Sequence, residues 1–258
     1  MSQPDLATAL AAAREAAAAA AEVILHYWHR GVDVELKSDD TPVTVADREA
    51  ELAIRAILTR ALPEAAIYGE EFGLDGSRDG LLWLVDPLDG TKSFVRRTPF
   101  FSTQIALMHA GELVLGVSSA PVFGETMWAR VGGGAWLDGA RVEVGPAAAM
   151  AQAAISTGNI RTLTGDARWA ALGQMIRDAN RIRGYGDFCH YHLLARGGVD
   201  LVIESDVNIL DIAALAVIVR EAGGVFTDLD GAPLTLDTRS VLAGTPPLHA
   251  EALVRLRR

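Results

Sequence analysis

Leu81-Leu82-Trp83-Leu84-Val85-Asp86-Pro87-Leu88-Asp89-Gly90-Thr91 is the stretch that decides how this chain is read. Five apolar residues in a row suit a strand covered on both faces. The run breaks at Asp86, at the carboxyl end of the predicted strand, where open α/β sheets bind their ligands. Pro87 fixes the backbone direction, so Asp86 and Asp89 can converge on one point with the Leu88 carbonyl between them. Like charges gathered this way are costly unless a cation neutralises them. Oxygen ligands without His or Cys favour a hard ion, Mg²⁺ ahead of Ca²⁺ or Zn²⁺. Gly90-Thr91-Lys92-Ser93 then offers consecutive backbone N–H groups able to cradle an anion. The competing reading of the same hexapeptide is an Asx turn with a capping aspartate.

Outward from this stretch, turn signals separate predicted strands at Ser102–His109, Leu113–Ser118, Glu125–Val131 and Ala135–Leu137, the spacing of an antiparallel meander. Upstream, Pro4–Trp28 and Thr44–Leu62 read as helices, with a short strand at Ala66–Tyr68. Downstream of Pro146 strands alternate with helices. The strands are Ala153–Thr157, Ile182-Arg183, Asp200–Glu204, Val225–Thr227 and Val241–Ala243. The helices are Ala167–Ala179, Cys189–Ala195, Asp211–Ala222 and Pro247–Leu256. That alternation implies an α/β half. A division near Gly139–Pro146 is expected, giving residues 1–140 as an α+β domain with the metal motifs and 141–258 as an α/β domain.

The chain has 258 residues and a formal net charge of −10, which opposes a phosphate backbone or an anionic membrane as a general partner. One cysteine, Cys189, allows no internal disulfide and no Cys-based metal site, so it reads as a small buried residue in a reducing compartment. The alanine-rich N-terminal run is interrupted by Arg14, Glu15 and Glu22, and no segment resembles a secretory signal or a span. A cytoplasmic protein is the expectation.

Two further acidic positions extend the cluster. Gly69-Glu70-Glu71 ends the short strand at Ala66–Tyr68, and Asp211 stands at the start of a predicted helix, where a carboxylate is also favoured for structural reasons. With Asp86 and Asp89 they supply the four carboxylates of a site for two or three ions.

Taken together, Gly69-Glu70-Glu71, the Trp83–Thr91 segment, Leu210-Asp211-Ile212-Ala213-Ala214 and Glu221-Ala222-Gly223-Gly224 resemble the inositol monophosphatase superfamily, with Lys37 and the Thr44–Asp47 segment falling at its early motif. The family's usual Trp before the late Asp is Leu210 here. The resemblance implies a layered α-β-α-β-α sandwich of the inositol monophosphatase and fructose-1,6-bisphosphatase type, a homodimer, and lithium-sensitive, Mg²⁺-dependent phosphatase activity. It implies that Glu70, Asp86 and the Leu88 carbonyl hold one Mg²⁺, that Asp86, Asp89 and Asp211 hold a second, and that Glu70 with waters holds a weaker third. Asp47 and Thr91 fall at the pair that orients the attacking water, which Glu70 also helps to activate, and the Gly90 and Thr91 amides at the phosphate site. A bimetallic site can neutralise a phosphomonoester dianion, lower the pKa of water and assist the departing alkoxide.

The alcohol is read from Ile182–Asp206, where the family places its substrate-selecting residues. Asp187 puts a charge where many inositol phosphatases carry a small apolar residue, and Glu204 falls at the hydroxyl-binding Glu. A pocket edged by two acids suits a cationic alcohol, and Gly186-Asp187-Phe188 is similar to the histidinol-phosphatase branch. Phe94 and Phe188 are candidates to flank an imidazole ring, or to be core. His190 and His192, at i and i+2 of a predicted helix, do not share a face for a metal. The expected substrate is L-histidinol phosphate, with inositol-1-phosphate or a broader set of sugar phosphates as the alternative. A non-catalytic phosphate-binding regulator on the same fold is a third reading, disfavoured because every ligand position is filled.

Overall fold

Alanines 9, 12, 13, 16, 17 and 20 are all buried along helix α1 (Leu6–Arg30), so this face of small side chains lets the helix lie close to its neighbours. The computed structural model describes residues 4–30, 34–36 and 42–257; Lys37, which the resemblance puts at the early motif, lies outside the described residues. Strands β1 (Val34–Leu36) and β2 (Pro42–Thr44) pair antiparallel and lead into helix α2 (Val45–Ala61). A capping box opens α2, with the Thr44 and Asp47 side chains each satisfying backbone N–H groups.

The first half continues through β3 (Ala66–Gly69), β4 (Gly73–Asp75), β5 (Leu81–Asp89), the short helix α3 (Thr91–Val95), β6 (Ser102–His109), β7 (Glu112–Ala120), β8 (Glu125–Arg130), β9 (Ala135–Leu137) and β10 (Ala140–Val142). These strands form an eight-stranded sheet of order β10-β9-β8-β7-β6-β5-β3-β4. The expected meander runs from β5 to β10, and β3 pairs parallel with β5. A division at residues 140 and 141 falls within β10, the last strand of this sheet.

The second half contains β11 (Ala154–Thr157), α4 (Ile160–Leu163), α5 (Trp169–Asp178), β12 (Arg181–Arg183), α6 (Asp187–Ala195), β13 (Leu201–Ser205), α7 (Ile209–Glu221), β14 (Val225–Thr227), β15 (Ser240–Gly244) and α8 (Pro246–Leu256). Its five-stranded sheet has the order β12-β11-β13-β15-β14. Strands β12, β11 and β13 are parallel, and β15 runs against both of its neighbours.

Alternation along the strands sets the layers. On β5, Trp83 and Val85 pack toward α1 and α2, while Leu82 and Leu84 pack toward α7. On β13, Val202 faces α7, and Leu201 and Ile203 face the layer of α5 and α8. The order is therefore α1/α2, large sheet, α6/α7, small sheet, α5/α8: the five-layer α-β-α-β-α sandwich. Helix α7, covered by both sheets, is apolar nearly all round, and every residue from Ile209 to Val219 except Asp211 is buried. Its backbone lies so close to β7 that a Cβ on Gly116 would meet the Ala214 carbonyl oxygen at 2.4 Å. At its far end Glu221 accepts from the Gly132 and Gly134 amides at 3.0 and 2.8 Å, tying the helix to the glycine-rich turn between β8 and β9. Among the described residues no helix is long and apolar enough to cross a membrane.

Candidate active site and metal centre

The motif at the end of β5 is a bulged strand. Where the sequence suggested a stop at Asp86, the strand continues to Asp89, and the pairs Asp86 with Gln104 and Asp89 with Ser102 place one extra residue on β5. Residues three apart on a regular strand point to opposite faces; one inserted residue restores both aspartates to the same side. Pro87 sits in the bulge, where a central strand tolerates a missing N–H. The Thr103 hydroxyl holds its carbonyl at 2.8 Å. The Leu88 amide donates to Asp86 Oδ1 at 2.9 Å, so the Asx turn and the convergent aspartates coexist. The chain leaves through Gly90 in the left-handed region, φ 89°, where a Cβ would meet the Phe100 carbonyl at 2.6 Å.

Asp211 is brought in from the middle layer. As the third residue of α7 it belongs to a capping box, accepting from the Asn208 amide at 2.9 Å and side chain at 2.6 Å, which fixes its rotamer. One oxygen from each of Asp86, Asp89 and Asp211 lies within 4.8 Å of the others. Exposed Glu70 completes the acidic set and hydrogen-bonds Asp86. The turn that carries Glu70 is held from below by buried Glu51, which accepts from the Glu71 amide at 2.7 Å and from Arg55 at 2.7 Å, while Arg55 also grips the Gly73 carbonyl. Sequence reasoning missed this clamp.

Asp86, Asp89 and Asp211 repel one another where access to water is limited. Burial, then the charges of Glu70, Asp89 and Asp211, push Asp86 well above the carboxylate range. Burial and the charges of Asp187, Asp211, Glu204 and Glu70 do the same to Asp89. Asp211 is raised to about 7, mainly by burial, with Glu70 and Glu204 adding to it and Asn208 opposing. An all-oxygen cluster that resists ionisation without a counter-charge fits a hard divalent cation.

Asp47 is 2% exposed. Its Oδ2 accepts from the Thr44 amide and hydroxyl at 2.8 and 2.6 Å, and its Oδ1 faces the Thr91 hydroxyl at 3.0 Å. Thr91 Oγ1 also lies 3.0 Å from the Leu88 carbonyl. Its single proton goes to the charged acceptor, Asp47.

A cavity of about 230 Å³ opens over the cluster, lined by Glu70, Asp86, Leu88, Asp89, Gly90 and Thr91, with Asp187 and Asp211 across from them. Larger clefts of 760 and 570 Å³ lie elsewhere and contain none of these ligands. Lys92 and Ser93, from the expected amide cradle, also line the site, as does Asp206 at the end of the substrate-selecting segment; Asn159 was not singled out in the sequence. Asn159, Asp187 and Asp206 all have positive φ, 49°, 46° and 58°, and such strain gathers at functional sites. Sequence offers only the tolerance of Asn and Asp for that conformation.

Glu204 departs from the expectation of a second acid at the pocket edge. It is 3% exposed, accepts from the Tyr191 hydroxyl at 2.6 Å and lies 3.0 Å from His190 Nε2, beneath Asp187 and outside the lining. Its charge still reaches Asp187, which burial first and Glu204 second raise to about 6, against the opposing influence of His190. Phe94 and Phe188 are core, 2% and 1% exposed, and cannot flank a bound ring. Phe94 stacks with Trp28 and Phe101, and Phe188 with Phe123 and His192. Cys189 is half-buried, with its thiol pushed up to about 11 by burial, which leaves it unreactive. Leu210, in place of the family's Trp, is buried in the middle layer.

The profile of the inositol monophosphatase family matches residues 5–258. The chain belongs to that family. A histidinol-phosphatase of Mycobacterium tuberculosis is 40% identical over 228 residues, 86% of this chain and 87% of the relative. Among solved structures of the family, the extragenic suppressor protein SuhB of Bartonella henselae superposes with a TM-score of 0.87 at 29% identity, covering 96% of this chain and 97% of its own. An inositol monophosphatase of Anabaena superposes with a TM-score of 0.86 at 29% identity, covering 98% and 97%.

Proposed function

We propose that this member of the inositol monophosphatase family is a Mg²⁺-dependent phosphomonoesterase that hydrolyses L-histidinol phosphate to L-histidinol and inorganic phosphate. The observation that carries the reading is the convergence of the Asp86, Asp89 and Asp211 oxygens within 4.8 Å, in a cavity that Asp187 also lines. Glu70, Asp86 and the Leu88 carbonyl would hold one ion, Asp86, Asp89 and Asp211 a second, and Glu70 a weaker third. Bound Mg²⁺ supplies neutralisation of the phosphate dianion, a lowered pKa for water and coordination of the departing oxygen. The chain's own residues do the rest. With its proton given to Asp47, Thr91 presents lone pairs that accept a hydrogen bond from the attacking water and so fix its direction. Glu70, beside Asp86, helps to take up the proton that the water releases. Gly90 and Thr91, at the head of a turn whose Ser93 and Phe94 amides already bond to Gly90 O, present amides to the phosphate oxygens.

Asp187 is the residue assigned to the alcohol. Its carboxylate would pair with the ammonium of histidinol, with Glu204 adding negative potential from beneath the pocket. The 40% identical histidinol-phosphatase supports this choice. The alternative substrate, inositol-1-phosphate or a related sugar phosphate, is favoured by one observation: Glu204 is already engaged by His190 and Tyr191, so of the two acids expected to select a cationic alcohol only Asp187 lines the cavity. Assembly as a cytoplasmic homodimer is part of the proposal on family grounds, and light scattering at assay concentration tests the assembly.

Phosphate release from a panel of phosphomonoesters in Mg²⁺ decides the substrate. Histidinol phosphate should be turned over fastest, and equal or better turnover of inositol-1-phosphate overturns the assignment. In Asp187→Ala the KM should rise about tenfold or more for histidinol phosphate and little for a neutral sugar phosphate, in line with loss of one charged contact. Equal changes for both would remove Asp187 from selectivity.

A further inference from the structure

Polar side chains interrupt the apolar interior of the large sheet along one line. Asp86 on β5, Gln104 on β6 and Ser118 on β7 are successive cross-strand partners, and Asp89 pairs with Ser102. Ser102, Gln104 and Ser118 are all fully buried. Gln104 Nε2 lies 2.8 Å from Ser102 Oγ and 3.0 Å from Ser118 Oγ. Ser102 Oγ is 3.4 Å from Asp89 Oδ2, and Ser118 Oγ is 2.8 Å from His192 Nε2 on α6. Beyond it, His192 Nδ1 faces Glu125 Oε2 at 3.6 Å, and Glu125 is held by Arg196 at 2.8 Å.

The polarity of this line follows from its ends. A ligand carboxylate only accepts, so Ser102 must donate to Asp89 and therefore accept from Gln104. The second N–H of Gln104 then goes to Ser118, which donates in turn to His192 Nε2. That leaves the imidazole proton on Nδ1, facing the Glu125 carboxylate.

We infer that Ser102, Gln104, Ser118 and His192 are a positioning string that fixes the Asp89 carboxylate for its cation and pins α6, with Asp187 at its first residue, to the same sheet. None of the four touches substrate. The inference rests on the reading of Asp89 as a cation ligand, and goes beyond it by assigning the parts that orient Asp89. Outer hydrogen-bond partners of metal ligands commonly change affinity ten- to a hundredfold when removed.

The test uses the full chain and Mn²⁺ as the probe ion, its binding followed by electron paramagnetic resonance. Ser102→Ala removes only the hydroxyl that donates to Asp89, and Gln104→Met cuts the string at nearly constant volume. Each should weaken Mn²⁺ binding about tenfold and raise the Mg²⁺ needed for half-maximal phosphate release in proportion. KM at saturating Mg²⁺ should stay near wild type in Ser102→Ala. In the wild type, ¹⁵N NMR of His192 should report the proton on Nδ1. If Gln104→Met does not fold, Ser102→Ala decides alone. Wild-type Mn²⁺ affinity in folded Ser102→Ala, or a proton on Nε2, overturns the string alone. A wild-type chain that binds no Mn²⁺ overturns the string together with the metal reading beneath it.

Discussion

Two carboxylate regions of this molecule, one largely buried and one partly exposed, behave in opposite ways. At the end of β5, burial and mutual repulsion raise Asp86, Asp89 and Asp211 above the usual range. On β8 of the same sheet, Glu125 lies beside His192 and Arg196 and is lowered to about 2, chiefly by the facing His192 ring and also by Arg196, against some desolvation. The two sets of acids thus diverge because one lacks positive partners and the other has them. A carboxylate with a built-in cation is a structural feature; several gathered without one are suited to hold a cation between them.

Breaking the first region should cost activity most. Glu70→Gln is expected to lower turnover by about a hundredfold to ten-thousandfold, as for loss of a group handling the water's proton, while the melting temperature barely moves because Glu70 is exposed. Steady-state kinetics and a thermal melt on one preparation check both halves. Glu204→Ala should reverse that pattern for stability: it strands the Tyr191 hydroxyl and the His190 ring in the interior, and should lower unfolding free energy by about 2 kcal/mol in urea titration.

A weaker effect separates the regions by pH. Asp211 binds its proton more tightly in the folded chain, about 7 against 3.8 for an ordinary Asp, so its contribution is present below pH 4 and is lost as pH rises through about 7. The chelated protein should therefore unfold more easily at pH 8 than at pH 5, and Mg²⁺ should restore more stability at pH 8. Glu125 has the other sign, stabilising above about pH 4.5 and losing that contribution as pH falls toward 2. Glu125→Gln should cost less than about 1 kcal/mol at pH 7, the range of a partly exposed pair, and should flatten the acid limb of the stability curve.

What was legible in the sequence follows the same division. Asp86, Leu88, Asp89, Gly90 and Thr91 are neighbours in the chain, so their chemistry could be read directly; strand and helix periodicity showed the meander and the α/β half, while the layered arrangement was an expectation from the family resemblance. The bulge was not legible, because an extra residue is defined only against Ser102 and Gln104 on the next strand. Strands β2, β4 and β10 and the single turn of α4 lack the apolar run that made the equally short β9 and β14 legible. Glu204 was identified as an acid near the substrate, but its engagement by His190 and Tyr191 depends on how α6 packs over β13. The string from Asp89 to His192 joins three strands and a helix, which no local pattern reveals.

The central claim is that the β5 carboxylates work only with a divalent cation between them, and Asp86→Asn tests it most directly. Calorimetric Mg²⁺ titration and phosphate release should be measured together on the wild type and this variant. The wild type should bind Mg²⁺ and release phosphate only in its presence. In a folded Asp86→Asn protein, whose cation-free stability is unchanged or higher because one repelling charge is gone, both should be lost. Mg²⁺-dependent turnover surviving in Asp86→Asn would contradict it.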